Sequence, residues 1–433
     1  MKFGRTFKEA LAGKDYPQHW VESAIPYRQL KKILGSVREE LIRKGYDPDT
    51  IHKLLEAHEA EYHLVDHDSL LLRPTLVVRP APTAPSISPA SLAKLLAAAK
   101  PFSPPASHHG HASDQDDDET APATPDSTHD DQWVMVPLDS DATFFSTLQT
   151  DVGKLDSLQS QERKSMNDGI GALGSEIAEV TRPKEHRITF AKSDLYRWRE
   201  IFEIYLSAEI FFSTSEVAGG SRTSESARMK LVWFQDEVNK RNLPQKFKLA
   251  PSSASYKRFM ELNLTLLQNF QFQELNKTAI TKIIKKFDKQ TSLGVKATFP
   301  QALKSASFIA DNIAKSICAQ LSSEVLAIVP QVMDHTCTIC SDFRYLPIRL
   351  SCDHLFCIRC AYLLQQANKR LCPLCRAPTV HELTVDNIDK AVMHYLERWF
   401  PKEVKVKQAY NELMERKDQL GPNAGGATPC LIM

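Results

Sequence analysis

Apolar residues recur along much of the chain at the spacing of helices. Within residues 7–65 they return every three or four positions, which is the repeat of one buried helix face and favours a helical hairpin. The same pattern over residues 141–326 predicts several long helices. Residues 195–212 are so rich in large apolar side chains that we expect burial on most faces. Three aromatic residues there are expected in the core: Trp198, Phe202 and Tyr205.

Breaks in this pattern divide the chain. Around residues 73–131, Pro, Ala, Ser, His and Asp dominate and include the acidic run DQDDDE, which is too polar to fold on itself. Beyond the amphipathic stretch AVMHYLERWF, the sequence GPNAGGATP predicts a flexible end. We therefore predict a mainly α protein with these segments: a helical bundle in two parts, 1–74 and 139–326, around a disordered insertion, 75–138; a small α+β module, 334–380; a helical extension, 381–420; and a tail, 421–433.

Composition and charge exclude several classes of protein. Hydrophobic residues make up 42% of the 433 positions and charged residues 25%, as in soluble proteins with a real core. The net charge of +1 gives no overall attraction to nucleic acid, so any anion site must come from local clustering. The amino terminus is charged throughout, and no apolar run reaches the roughly 18 residues of a spanning helix. We expect a cytoplasmic, nuclear or peripherally membrane-bound protein.

Cysteines are crowded near the carboxyl end. Seven of the nine lie between Cys337 and Cys375, and with His354 they form the series C-x2-C, C-x-H, C-x2-C, C-x2-C. In a reducing compartment such crowding indicates metal rather than disulfides, and eight ligands suffice for two tetrahedral zinc ions. So short a module needs the metal to fold, so the zinc is structural. A zinc ribbon without a partner is the alternative reading of these residues.

The spacing resembles that of C3HC4 RING fingers, in which the ligand pairs interleave. His354 as fourth ligand disfavours a PHD finger, which has Cys in fourth place and His in fifth. The resemblance implies two ligand sets: Cys337, Cys340, Cys357 and Cys360 for one ion, and Cys352, His354, Cys372 and Cys375 for the other. It also implies that Ile339 and Pro373 bind an E2 conjugating enzyme. Arg376 would then hold E2 and ubiquitin in a reactive pose.

RING ligases position the reactants and do not attack them. An apolar residue of the RING helix also meets the E2, and Tyr362, Leu363 and Leu364 all remain candidates. Cys318 lies in the apolar context AKSICAQL, where a buried inert thiol is favoured over a nucleophile. No covalent ubiquitin relay is therefore indicated.

A lysine-rich helix is predicted at AITKIIKKFDKQT. At about 100° per residue its apolar and basic side chains separate onto opposite faces. The two faces are Ile280, Ile283, Ile284 and Phe287, and Lys282, Lys285, Lys286 and Lys289. Clustered ammonium groups repel one another unless they are solvated or meet an anion. From these residues alone, a solvated surface or a nuclear import signal explains the cluster equally well.

Three motifs, MKFGRTFKEAL, IPYRQLKKIL and LNKTAITKIIKKFDKQT, resemble the opening and closing helices of SPX domains. The resemblance covers about residues 1–75 and 140–325. It implies a helical bundle with an amino-terminal hairpin that binds inositol polyphosphates, including pyrophosphates. The implied ligand-binding residues are Tyr27, Lys31, Lys282, Lys285 and Lys286, with Lys2 and Lys289 at the border. Tyr27 would donate its hydroxyl, and the lysines charge-assisted hydrogen bonds.

An SPX domain followed by a RING finger resembles the fungal and plant SPX-RING ubiquitin ligases of phosphate homeostasis, the nitrogen-limitation-adaptation type among them. The implied partners are an E2, ubiquitin, inositol polyphosphates and a substrate among membrane transporters. A non-catalytic sensor with a zinc-finger interaction module is the rival reading. A nucleic-acid-binding zinc protein is disfavoured, and we expect no nucleic acid, because basic and aromatic residues are not interleaved around the fingers.

The last four residues form a C-a-a-X box that predicts farnesylation of Cys430. One lipid chain gives only marginal membrane attachment. The nearest basic residues, Arg416 and Lys417, are too few and too distant for a polybasic anchor. We therefore expect partial, exchangeable association of a cytoplasmic protein with a membrane.

Overall fold

A computed structural model describes residues 3–13, 16–65, 72–79, 133–183, 193–212, 222–296, 299 and 313–420. Contacts divide the chain into two compact units, each discontinuous in sequence. The first unit is Met1–Lys164 with Gln268–Ile313, and the second is Ser165–Leu267 with Ala314–Met433. The described residues are mainly helical, which confirms the predicted fold class.

The first unit begins with four helices and a small sheet. The helices are α1 (Phe3–Ala12), α2 (Gln18–Ser23), α3 (Tyr27–Arg43) and α4 (Pro48–Glu56). The strands β1 (Ala60–Val65), β2 (Leu72–Val78) and β3 (Val134–Val136) pair antiparallel in that order, with Leu76 opposite both Tyr62 and Val136. Pro17 and Pro26 stand directly before α2 and α3, where a residue without an amide hydrogen leaves no donor unpaired at the helix start.

The sheet moves the limits of the predicted insertion. The prediction placed 75–138 in a disordered segment, but β2 extends to Val78 and β3 occupies Val134–Val136. Apolar residues explain the difference, because Leu76 and Val136 are almost wholly buried. The predicted helical hairpin of 7–65 likewise becomes four helices and a strand. Residues 80–132 lie outside the described part of the chain.

Two long helices contribute to both units. They are α5 (Asp139–Thr181) and α8 (Ala250–Thr291). In the first unit their apolar faces join those of α1 and α3 in one core that includes Leu30, Leu34 and Phe145. Ile280, Ile283, Ile284 and Phe287 are all buried in this core, as the helical period predicted.

The second unit contains the middle of the helical bundle and the cysteine-rich module. Its helices are α6 (Leu195–Ala208), α7 (Ser224–Lys240), α9 (Ile313–Glu324), α10 (Ile358–Gln366), α11 (Lys390–Trp399) and α12 (Pro401–Leu420), and strands β4 (Pro347–Arg349) and β5 (Leu355–Cys357) form a hairpin. Trp198, Phe202 and Tyr205 are buried, which confirms their predicted place in the core. A Cβ at Gly174 would stand 2.4 Å from the carbonyl oxygen of Glu324, so α5 and α9 approach closely only because this residue is glycine.

No described helix is long and apolar enough to cross a membrane.

Candidate zinc centres and lysine face

The two predicted ligand sets come together in the structure. The ligand atoms of Cys337, Cys340, Cys357 and Cys360 all lie within 4.8 Å of one another, and so do those of Cys352, His354, Cys372 and Cys375. The Sγ atoms of Cys340 and Cys357 are 3.8 Å apart. A zinc tetrahedron with Zn–S bonds of 2.3 Å has an edge of about 3.8 Å, so this separation fits the metal. The module therefore has two zinc sites, one with four thiolates and one with three thiolates and an imidazole.

Two matching turns present the C-x2-C pairs. The Ser341 amide donates to the Cys337 carbonyl at 2.8 Å, and the Arg376 amide donates to the Cys372 carbonyl at the same distance. Ser341 and Arg376 both adopt left-handed backbone, with φ of 55° and 62°. The Cys337 amide donates in turn to the Asp342 carbonyl at 2.7 Å, which closes the first loop.

A small apolar cluster packs between the two zinc sites. Leu350, Phe356 and Val380 are buried there with several of the zinc-binding cysteines, and Leu364 of α10 packs against them. The Cys357 amide donates to the Cys337 sulfur at 3.5 Å, and an amide donor stabilises thiolate, which is the form that binds zinc.

The residues predicted to meet an E2 are on the surface. Ile339 of the first zinc loop is 39% exposed, and Pro373 of the second loop is exposed. On α10, Tyr362 and Leu363 are 44% and 43% exposed, whereas Leu364 is turned to the zinc cluster. Exposure therefore favours Tyr362 and Leu363 over Leu364 as the helix residue predicted to face the E2. Leu374, 51% exposed beside Pro373, adds apolar surface that the sequence analysis did not single out.

Arg376 is exposed at the end of the second zinc loop. Among the described residues its side chain forms no ion pair or hydrogen bond. Its guanidinium is therefore available to a partner, as the RING resemblance implies. Cys318, by contrast, is half-buried, and burial raises the pKa of its thiol to about 12, which agrees with the inert thiol expected.

The predicted anion-binding residues lie on α3 and α8 of the first unit. Lys31, Lys282 and Lys285 are exposed, and Lys286 is half-buried. Burial lowers the pKa of Lys286, and the charge of Lys31 lowers it further, so these two ammonium groups of different helices act on each other. Among the described residues, none of the four lysines pairs with a carboxylate. We call these four lysines, Lys31, Lys282, Lys285 and Lys286, the lysine face.

Tyr27 is held at the start of α3 by the amino-terminal helix. Its ring meets that of Phe3 edge to face at 5.0 Å, and a Cβ at Gly4 would stand 3.2 Å from the ring. Tyr27 is buried, and burial raises the pKa of its hydroxyl, so the group stays protonated and able to donate. Lys31 follows one turn later on the same side of α3.

A residue that the sequence analysis missed links α3 to the lysine-bearing helix. The side-chain oxygen of Asn276 accepts the Ile25 amide at 2.9 Å, and its side-chain nitrogen donates to the Phe272 carbonyl at 2.9 Å. Asn276 is fully buried on α8, six residues before Lys282. It therefore fixes the turn before Tyr27 relative to the helix that carries three of the lysines. Asn276 lies within the motif LNKTAITKIIKK, but no neighbouring residue in the sequence indicates that it pairs with the distant Ile25 amide.

Comparison with known families identifies the two domains that carry these residues. The SPX domain model matches residues 1–303, and the model of the C3HC4-type zinc finger, or RING finger, matches residues 333–381. The first match covers most of the chain. The chain belongs to the SPX-domain family and carries a carboxyl-terminal RING finger.

Two curated proteins align with the chain from end to end, and each alignment covers 100% of both proteins. One is the "Transcriptional regulator of yeast form adherence 3" of Candida albicans, 30% identical over 503 aligned residues. The other is an uncharacterized RING finger protein of Schizosaccharomyces pombe, 33% identical over 484. No solved structure matches. Membership of the nitrogen-limitation-adaptation type stays a prediction.

Proposed function

We propose that this chain is a RING-type E3 ubiquitin ligase regulated by inositol polyphosphates or pyrophosphates that bind its SPX domain, and that it acts in phosphate homeostasis. The single observation that carries the ligase part is the exposed apolar surface on both zinc loops beside the unpaired Arg376. The rival, a non-catalytic scaffold whose zinc module only binds partners, would also use the apolar surface, so the discharge experiment below separates the two. Ile339, Pro373 and one of Tyr362 and Leu363 would bind the E2, while Arg376 holds ubiquitin.

The lysine face supports the sensor part of the proposal. Unpaired ammonium groups on two helices, beside a protonated tyrosine hydroxyl, offer several charge-assisted donors to one polyanion. Lysine suits a ligand with many phosphates because its flexible ammonium makes no demand for one geometry. Binding an anion would also relieve the repulsion between Lys31 and Lys286.

Ubiquitin discharge tests the ligase assignment. Purified full-length protein is mixed with several E2 enzymes charged with ubiquitin, and release of ubiquitin onto free lysine is followed over time. We expect faster discharge with at least one E2, and slower discharge with Arg376→Ala, since only positioning is lost. The control is Arg370→Ala, an exposed arginine two residues before Cys372. Absence of discharge with every E2, although two zinc ions are bound, would favour the non-catalytic scaffold.

Calorimetry with inositol hexakisphosphate tests the sensor assignment. Replacing Lys282, Lys285 and Lys286 together by alanine should abolish binding without loss of helix, because their side chains leave the apolar core of α8 untouched. A matched variant with alanine at Lys240, Lys246 and Lys257 changes the net charge equally and should bind as wild type. Binding should also weaken steeply with salt. Wild-type affinity in the first variant would place the site elsewhere.

Farnesylation of Cys430 is a further part of the proposal, and this residue lies outside the described part of the chain. The C-a-a-X box supports it. A single lipid would give a cytoplasmic protein a reversible membrane fraction, where transporter substrates reside. Mass spectrometry of the native carboxyl terminus, with fractionation of wild type and Cys430→Ser, tests this. An unmodified carboxyl terminus, together with equal soluble fractions of wild type and Cys430→Ser, would refute farnesylation.

A further inference from the structure

The carboxyl-terminal helix α12 places a buried lysine beside the first zinc loop. Lys407 is only 5% exposed, and its ammonium forms an ion pair with the carboxylate of Asp342. The ammonium also lies 4.4 Å from the centre of the Tyr410 ring. Lysine is almost never buried unless it is paired, so the residues around Lys407 must account for its burial.

Asp342 belongs to the loop that holds the first zinc ion. It follows Cys340 by two residues, and its carbonyl accepts the Cys337 amide at 2.7 Å. Its side chain also accepts the Phe343 amide at 2.7 Å, so the carboxylate is fixed from both sides. The ion pair with Lys407 therefore ties α12 to the backbone of the zinc loop itself.

The Lys407–Asp342 contact matters because the first zinc site is negatively charged. Four thiolates around one Zn²⁺ leave a net charge of about −2, whereas three thiolates and an imidazole leave about −1. Lys407 is buried against the loop that holds Cys337 and Cys340, through its ion pair with Asp342. The more negative of the two zinc sites thus has a buried cation on its loop.

The amino-terminal end of α12 is anchored to α6. Glu403, one turn before Lys407, accepts the Tyr196 hydroxyl of α6 at 2.9 Å. Arg199 of α6 donates to the carbonyls of Pro330 and Trp399, each at 2.9 Å, and lies 4.2 Å from the centre of the Phe400 ring. Farther along, Asp418 pairs with Arg359 of α10 at 3.1 Å. Helix α12 therefore runs from α6 to the zinc module and contacts it at two points.

We propose that α12 is a working part of the first zinc site: Lys407 compensates the negative charge of the four-thiolate zinc centre and, through Asp342, positions the loop that carries Ile339. The zinc part of this inference is independent of the proposed ligase activity. Only its consequence for Ile339 rests on that function. Groups beyond the ligands tune a metal site by such fixed charges and hydrogen bonds.

Zinc release from the full-length protein tests the proposal. Lys407→Met removes the charge and keeps the aliphatic stem, Lys407→Arg keeps the charge, and Lys405→Met changes an exposed lysine of the same helix. Release to a coloured chelator should give two phases in wild type. We expect Lys407→Met to speed the release of one ion by about 10-fold and to leave the other unchanged. Lys407→Arg and Lys405→Met should both behave nearly as wild type.

Cadmium NMR identifies the ion that is affected. In cadmium-substituted protein the four-thiolate and three-thiolate sites give separate resonances, and Lys407→Met should shift only the first. Asp342→Asn breaks the same ion pair but also removes a negative charge near the zinc, so it should raise the same release rate only through the lost loop position, and by less than Lys407→Met. The double variant should release no faster than Lys407→Met, because the two residues act as one pair. Equal release from Lys407→Met and wild type, or a shift confined to the three-thiolate site, would overturn the proposal.

Hydrogen exchange separates a positioning effect from loss of the helix. If α12 stays protected in Lys407→Met while the amides of Cys337 and Ser341 exchange faster, the loop is what Lys407 positions. If α12 itself exchanges freely, the Asp342→Asn result decides, since this change leaves the helix sequence intact. Ubiquitin discharge is measured in parallel. If wild-type protein discharged no ubiquitin, the ligase function would be refuted, but the zinc-release rates would still test the role of Lys407 at the first zinc site.

Discussion

The lysine face of the first unit and Arg199 of the second unit use positive charge in opposite ways. In the lysine face, four ammonium groups stand on two helices without a carboxylate partner among the described residues. Arg199 is 4% exposed and is engaged by two carbonyls, an aromatic ring and Glu403. Unpaired like charges weaken a fold and offer binding energy to an anion, whereas an enclosed cation fixes the structure around it.

The two units also differ in what holds them together. The first unit has a large apolar core drawn from helices, sheet and both long helices. The zinc module of the second unit has only a few buried apolar residues, such as Leu350, Phe356 and Val380, around its metal ligands. Removing metal should therefore affect the two units very differently.

Cys352→Ser should have the largest effect. It removes one ligand from the three-thiolate site, on whose metal the folding of the module depends. We expect bound zinc to fall from two ions and the RING amides to lose protection from hydrogen exchange, while α3 and the first part of α5 keep theirs. Cys318→Ser, outside both ligand sets, is the control. Full zinc content and an unchanged exchange pattern in Cys352→Ser would refute the ligand assignment.

Arg199→Ala should come next. It leaves the carbonyls of Pro330 and Trp399 without their donor and Glu403 with only the Tyr196 hydroxyl, and removing one partner of a buried ion pair costs about 3–5 kcal/mol. The free energy of opening of the α11 and α12 amides, measured by hydrogen exchange, should fall by that amount. Arg197→Ala, whose exposed guanidinium stands 3.6 Å from Glu200, should cost less than about 1 kcal/mol. Equal effects of the two substitutions would show that Arg199 is not an anchor.

A buried acid in the first unit provides a smaller, pH-dependent test. Burial raises the pKa of Asp141 from 3.8 to about 7, and its carboxylate accepts the Tyr62 hydroxyl at 2.9 Å. Between these two pH values the folded state holds a proton that the unfolded state has released. The contribution of Asp141 to stability is therefore fully present below pH 4 and is lost as pH rises through 7.

Asp141→Asn should flatten this dependence, since the amide is neutral at every pH and its oxygen can still accept from Tyr62. The variant should gain up to about 4 kcal/mol over wild type at pH 8, at about 1.4 kcal/mol for each pKa unit, and much less at pH 5. Denaturation midpoints across pH 5 to 8, with Asp139→Asn as control, measure the difference. Parallel pH profiles of the two variants would contradict the buried, neutral acid.

Local chemistry explains what could be predicted from the sequence. The zinc ligands have a spacing that only a metal site requires, and the alternation of Ile and Lys around Ile283 follows from the helical period alone. Their geometry depends on residues close together in the chain. The same holds for the aromatic core of α6, where one segment contains enough apolar surface to ensure burial.

Features that depend on distant partners could not be predicted. Arg199 lies in an apolar stretch, and its acceptor at Trp399 is 200 residues away. Asn276 and Lys407 are single polar residues whose roles come from tertiary contacts. Strand β1 did carry a signal, because Ala60, Tyr62 and Leu64 alternate with polar residues, but six residues are too few to outweigh the surrounding helical pattern.

We propose that an anion on the lysine face controls a RING ligase in the same chain. The most direct measurement is the rate of ubiquitin discharge from E2 by the full-length protein as inositol hexakisphosphate is added. We predict that the rate changes with ligand in wild type and stays constant when Lys282, Lys285 and Lys286 are alanine, with equal rates for both proteins in the absence of ligand. A rate that ignores the ligand in wild type, or responds equally in both proteins, would contradict it.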